Sequence, residues 1–150
     1  MQKSIRHKWV YQYSPAVVWE YLTNKELISQ WLMKNDFLPV VGRQFHFFAN
    51  PVCELDFDGI IYCMVLEVVP GEKLSYSWKC GPGNGEINLD SIVTWTLTQE
   101  GTGTILSLDH SGFRELEHYN MFTIMDAGWL KHMKNIEEKL NSNTHDITQA

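Results

Sequence analysis

The 150-residue sequence predicts an α+β fold, a curved antiparallel sheet of six or seven strands wrapped around one long C-terminal helix, with two short helices after the first strand. Three observations predict it. Segments alternating apolar and polar residues follow one another with only short turn signals between them, as antiparallel neighbours do. A single long stretch, residues 116–140, repeats apolar residues every three or four positions. A sheet with one wet face must also cover its apolar face, and this helix is the only element large enough to do so.

From Lys3 to Tyr13 the chain is β-branched and aromatic, with His7, Trp9, Tyr11 and Tyr13 on one parity, which is a first strand. Ser14-Pro15 ends it and opens a helix: serine caps free amides, and proline is tolerated at the first helical position. Val18, Trp19 and Leu22 form the buried face of that helix. Thr23 and Glu26 have capping-box spacing for a second short helix carrying Leu27, Ile28, Trp31 and Leu32. After an irregular stretch, residues 33–41, Gly42 breaks the chain, and residues 44–49 alternate with Phe45 and Phe47 on one face. Residues 52–57 are a weaker strand candidate.

Residues 60–69 form a long β-rich run, apolar on both parities as in a strand covered on both sides, and it ends at Pro70-Gly71. Leu74, Tyr76 and Trp78 then alternate with serines up to Gly81-Pro82-Gly83-Asn84-Gly85, the stretch expected to be most mobile. The cleanest alternation follows, with Val93, Trp95 and Leu97 against Thr94, Thr96 and Thr98. Gly101-Thr102-Gly103 turns the chain into a last strand with Leu106, Leu108 and His110 on one parity. In the long helix, Met121, Met125, Gly128, Trp129, His132, Met133, Ile136 and Leu140 share one stripe, with Asp126, Lys131, Lys134, Glu137, Glu138 and Lys139 outside it. A polar tail, residues 141–150, is expected to fray.

The composition is that of one globular domain spanning residues 1–150: 44% hydrophobic, 20% charged, and rich in rings with six Trp, six Tyr and seven Phe. A net charge of -6 without any basic run argues against nucleic acid as a partner. The first ten residues lack the apolar segment of a signal peptide, so a cytoplasmic location is expected. The longest apolar run, residues 59–66, is far shorter than the ~20 residues of a membrane span. Cys53, Cys63 and Cys80 are an odd count without a Cys-x-x-Cys pair, which points to reduced packing residues.

Taken together, Ser14-Pro15-x-x-Val18-Trp19, Thr23-Asn24-x-Glu26 with Trp31, Gly42 with Phe45 and Phe47, Val65-x-Glu67-Val68-x-Pro70, Leu74-x-Tyr76-x-Trp78, Gly103-Thr104, His110-Ser111-Gly112-Phe113 and Gly128-Trp129 form a pattern. It resembles the bacterial homologues of the activator of the heat-shock-protein-ninety ATPase, of the START-like (SRPBCC) superfamily with the helix-grip fold. The resemblance runs from about Ser4 to Leu140, and one departure is Cys63, where many relatives have glycine. It implies a deep apolar cavity between sheet and helix, used across the superfamily for lipids, sterols, polyketides and phenolics. A stress-response role goes with the family name. The eukaryotic co-chaperones carry a separate N-terminal domain for which these 150 residues leave no room, so chaperone activation is not taken over from the resemblance.

The expected partner is therefore a small hydrophobic molecule, lipid-, polyketide- or flavonoid-like. Candidate ligand-binding residues are Trp31, Phe45, Phe47, Trp78, Trp95, His110, Met121, Met125, Trp129 and His132. The same rings and methionines would also fill an ordinary core, and spacing alone does not separate the two. His110 is either a buried ring hydrogen-bonded by its neighbours or a group that orients a ligand. A cyclase- or dehydratase-type enzyme using His110 or Glu67 is an alternative, and a chaperone-associated interaction module is a third. Oligomeric state is left open. No cofactor is expected: Gly81 to Gly85 lacks the lysine and helix start of a phosphate loop, and His110, His132 and Glu67, the only mixed set, lack zinc-ligand spacing.

Overall fold

A computed structural model describes residues 2–51, 57–114 and 119–143. In chain order the elements are β1 (Gln2–Tyr11), α1 (Pro15–Thr23), α2 (Lys25–Trp31), β2 (Lys34–Asn35), β3 (Gln44–Phe48), β4 (Ile60–Val69), β5 (Lys73–Cys80), β6 (Leu89–Glu100), β7 (Gly103–Arg114) and α3 (Tyr119–Ser142). The seven strands form one curved sheet in the order β1-β7-β6-β5-β4-β3-β2, and every pair is antiparallel. Its concave face wraps α3, and α2 touches both α3 and β2 at one end. This is the expected helix-grip architecture. The strand candidate at residues 52–57, the helix start at 116–118, the packing role of Cys53 and most of the polar tail lie on or across residues outside those described.

The alternation in the sequence sets which side chains enter the core. Ile5 and Tyr11 from β1, Val93, Trp95 and Leu97 from β6, and Leu106, Leu108 and His110 from β7 are all buried. Gly112 then shifts the register. Its φ of 113° is a conformation that favours glycine, and β1 pairs Ser4 with Ser111 but Lys3 with Phe113, so Gly112 is passed over as a bulge. The extra residue flips parity and returns Phe113 to the core, where its ring lies 4.7 Å from that of His110.

Three local expectations are corrected. Asn24, not Thr23, caps α2: its side-chain oxygen accepts from the amides of Glu26 and Leu27, while the Thr23 hydroxyl donates back to the Trp19 carbonyl inside α1. The irregular stretch after α2 contains a two-residue strand, because Lys34 and Asn35 pair with Phe48 and Phe47. β4 is covered on one side only. Ile61, Cys63 and Val65 face the core, whereas Tyr62 and Leu66 remain 37% and 42% exposed on the convex face, where neither α1, α2 nor α3 packs. Its register shifts between Val65 and Glu67.

α3 divides into two halves. In the C-terminal half, Met133, Ile136 and Leu140 are fully buried, and each such side chain contributes roughly 1.5–3 kcal/mol. The Tyr11 hydroxyl donates to the Met133 carbonyl at 2.7 Å, and Tyr13 reaches Asn141 at the same distance, fixing this half to the start of the chain. The N-terminal half is tied by His7 of β1, whose Nε2 lies 2.9 Å from the Asp126 carboxylate, and by the buried indole of Trp129, which donates to His110 of β7. No helix among the described residues is long and apolar enough to cross a membrane.

Candidate functional site

Under the N-terminal half of α3 the sheet and helix do not meet completely. The space left is a cavity of about 220 Å³, lined from α3 by Met121, Ile124, Met125, Gly128, Trp129 and His132. β4 and β5 supply Ile61, Trp78 and Cys80, and the remaining wall is Leu32 and Met33 after α2, with Ala49 and Phe57 from the connection between β3 and β4. Trp78, Trp129, Ile61 and Cys80 are buried and form the deep end, whereas Ile124 is 55% exposed and marks the rim. Gly128 helps to keep the space open: a Cβ built there would meet nothing within 4 Å.

Five of the residues expected at a ligand site, Trp78, Met121, Met125, Trp129 and His132, line this cavity. The other five stand behind its wall. Trp31, Phe45, Phe47, Trp95 and His110 are all buried, and they join the lining rings in one lattice of edge and tilted contacts. Trp31 meets Trp95 at 5.9 Å between centroids, Trp95 meets Trp129 at 5.4 Å, Trp129 meets Trp78 at 5.2 Å and Trp78 meets Phe47 at 5.3 Å. Such packing holds the two lining tryptophans in fixed orientations. Ile61 and Cys80 share inward parity with Phe47 and Trp78 and were readable as candidates on that ground. Leu32 and Ala49 continue the patterns of α2 and β3 just past the ends of those elements and were readable on that ground, whereas Met33 and Phe57 lie in connections where no periodicity points inward.

His110 is fully buried and its ring is saturated with hydrogen bonds. The Trp129 indole can only donate, so its Nε1 donates to His110 Nδ1 at 2.9 Å, and Nε2 must therefore carry the ring proton. Nε2 donates to Ser91 Oγ at 2.8 Å, and the Ser91 hydroxyl donates onward to the Trp78 carbonyl at 2.7 Å. The relay ties β7, β6 and β5 to α3 through both tryptophans of the cavity wall. Burial pushes the His110 pKa down to about 3, so the ring is neutral at ordinary pH.

His132 enters the cavity differently. Its Nδ1 lies 3.0 Å from the Trp31 carbonyl, linking α3 to the end of α2. Burial holds this ring below the ordinary histidine range, the Trp31 carbonyl opposing that shift and Lys131 adding to it. Cys80 remains a protonated thiol, pushed up to about 12 by burial and by nearby Asp58, and the Cys63 thiol is raised further by the same cause. Glu67 stays on the outer surface, paired with Lys73 at 3.1 Å, and does not converge with His110 and His132. Among the described residues no three His, Cys, Asp or Glu side chains form a metal-binding group.

A family profile described as "Activator of Hsp90 ATPase homolog 1-like protein" matches residues 12–141. Among solved structures, protein MLL2253 from Mesorhizobium loti is 33% identical, with a TM-score of 0.84 over 97% of this chain and 100% of its own. Protein BH1534 from Bacillus halodurans is 25% identical, with a TM-score of 0.72 over 91% and 95% of the two chains. The Aha1 dimer from Colwellia psychrerythraea shares the fold at 17% identity, with a TM-score of 0.73 over 99% of each chain. No curated protein matches.

Proposed function

The chain belongs to the Activator of Hsp90 ATPase homolog 1-like family of the START-like superfamily, and on that premise we propose that it binds a small, mainly apolar, ring-containing molecule between β4, β5 and α3. The observation that carries this reading is the cavity itself, about 220 Å³ with an almost wholly apolar and aromatic lining. Transfer of apolar rings from water to such a wall is favourable, at ~25 cal/mol per Å² of apolar surface buried. An apolar protein cavity of roughly 150 Å³ holds benzene. The space here is therefore on the scale of one or two fused rings, and a sterol or a flavonoid would extend past the Ile124 rim. The thioethers of Met121 and Met125 adapt to ligands of imperfect shape.

Catalysis by His110 or Glu67 finds less support. Both ring nitrogens of His110 are engaged by Trp129 and Ser91, and Glu67 is paired outside the cavity. The test is heteronuclear NMR on labelled protein titrated with naphthalene, a flavone, a sterol and a fatty acid, following the indole signals. Binding at this site moves the Trp78 and Trp129 signals saturably, with naphthalene the most effective of the panel. A panel that leaves both tryptophans unmoved refutes the proposal.

A second reading, a protein-interaction surface, is favoured by a separate observation. On the convex face His46 stacks on Phe48 and meets Tyr62 edge-on, and Leu38, Val40, Val41 and Leu66 are exposed nearby in sequence on the same β2 to β4 segment. Exposed apolar clusters of this kind are typical of contact surfaces. Sedimentation velocity over a hundredfold concentration range tests self-association through it, with Phe48→Lys as the variant that should abolish any dimer.

A further inference from the structure

His132 gives the cavity a polar end of defined sense. The Trp31 carbonyl can only accept, so the contact at 3.0 Å places the ring proton on Nδ1. The neutral ring then presents Nε2 as a bare acceptor. Nε2 has no hydrogen-bond partner among the described residues. The other side-chain heteroatoms of the lining are donors or, like the methionine thioethers, weak acceptors at most. The Trp129 indole N–H is committed to His110, and the Trp78 indole and the Cys80 thiol are donors.

An occupant that covers Nε2 with hydrocarbon strips its water and offers nothing in exchange, whereas an occupant with a hydrogen donor at that point replaces the lost bond. We propose that the ligand of this cavity is a hydroxylated aromatic, of phenol or naphthol type, whose hydroxyl donates to His132 Nε2. This inference rests on the cavity being a ligand site, and it adds the chemical group that selects among apolar rings of similar size. The ring contact between Trp129 and His132, 6.0 Å between centroids, places an aromatic wall beside the acceptor, so a flat ligand can lie on the indole while its hydroxyl meets the imidazole.

The test compares 2-naphthol, its methyl ether and naphthalene, by NMR titration of the wild-type protein and of His132→Asn. The asparagine amide keeps a donor for the Trp31 carbonyl, and its oxygen, in the place of the ring Cδ2, stops short of the Nε2 position. The expected result is naphthol binding roughly three- to tenfold tighter than the other two, the size of one net hydrogen bond. In His132→Asn that advantage falls to within about twofold while naphthalene affinity is kept. The 15N resonance of His132 Nε2 in the wild-type protein supplies a measurement independent of the variant's folding, and it should shift with naphthol but not with naphthalene. Equal affinity for all three ligands, an unmoved Nε2 resonance, or a naphthol advantage that persists in a folded His132→Asn overturns the inference and leaves the cavity reading standing. Failure of all three ligands to bind overturns both.

Discussion

Acidification should destabilise this protein through His110 in a window set by its burial. The ring titrates near 6.5 when the chain is unfolded, and burial lowers this to about 3 in the folded state. Between those values the unfolded chain binds a proton that the native state refuses, so stability falls as pH falls. Each pH unit within the window costs ~1.4 kcal/mol, and the drop from about pH 7 to about pH 5 costs ~2 kcal/mol. Urea unfolding followed by tryptophan fluorescence measures it at both pH values, in the wild-type protein and in His110→Gln. The variant loses hydrogen bonds to Trp129 and Ser91 and starts less stable, but it has no imidazole to titrate at this position. The carboxylates and the remaining histidines are common to both proteins and cancel in the difference. The wild-type protein should lose ~2 kcal/mol more than the variant over that interval. Equal losses in the two proteins would refute the assignment of His110 as a neutral, sealed relay.

Four further outcomes follow from the geometry. Gly128→Ala should stabilise the helix by ~0.5–1 kcal/mol in thermal or urea unfolding, since the added Cβ meets nothing within 4 Å. Gly128→Leu should remain folded and lose naphthalene binding because its side chain fills the cavity, as a titration would show. Gly112→Ala should cost ~2 kcal/mol or more in urea unfolding, because φ is 113° and a Cβ would lie 2.9 Å from the Asp90 carbonyl oxygen. Asn24→Ala should cost ~1 kcal/mol by removing the acceptor for two amides at the start of α2, whereas Thr23→Ala should cost less.

The sequence made the frame of this fold legible because most strands keep a strict period of two. Val93, Trp95 and Leu97 enter the core as their alternation requires, and the stripe from Met121 to Leu140 faces the sheet. Legibility failed where one residue changes the register. Gly112 turns Phe113 inward against the parity of β7, and nothing in the spacing of Leu106, Leu108 and His110 announces a bulge. The apolar outer residues of β4, Tyr62 and Leu66, suggested a covering layer, but exposed apolar side chains are ordinary on protein surfaces. At the candidate site, aromatic and methionine residues were readable as a group. Their division into a lining (Trp78, Met121, Met125, Trp129, His132) and a backing (Trp31, Phe45, Phe47, Trp95, His110) depends on where α3 lifts from the sheet. That lift is a property of packing among distant segments, and no local pattern encodes it.

The most direct test of the ligand-binding account is an NMR search for intermolecular contacts between a saturating naphthol and protein carrying labelled methionine methyl groups. Nuclear Overhauser effects from the ligand protons to the Met121 and Met125 methyls, with none to the fully buried Met133, are the predicted result. Contacts confined to surface methyls, or no contacts at a concentration where the ligand is bound, would contradict it.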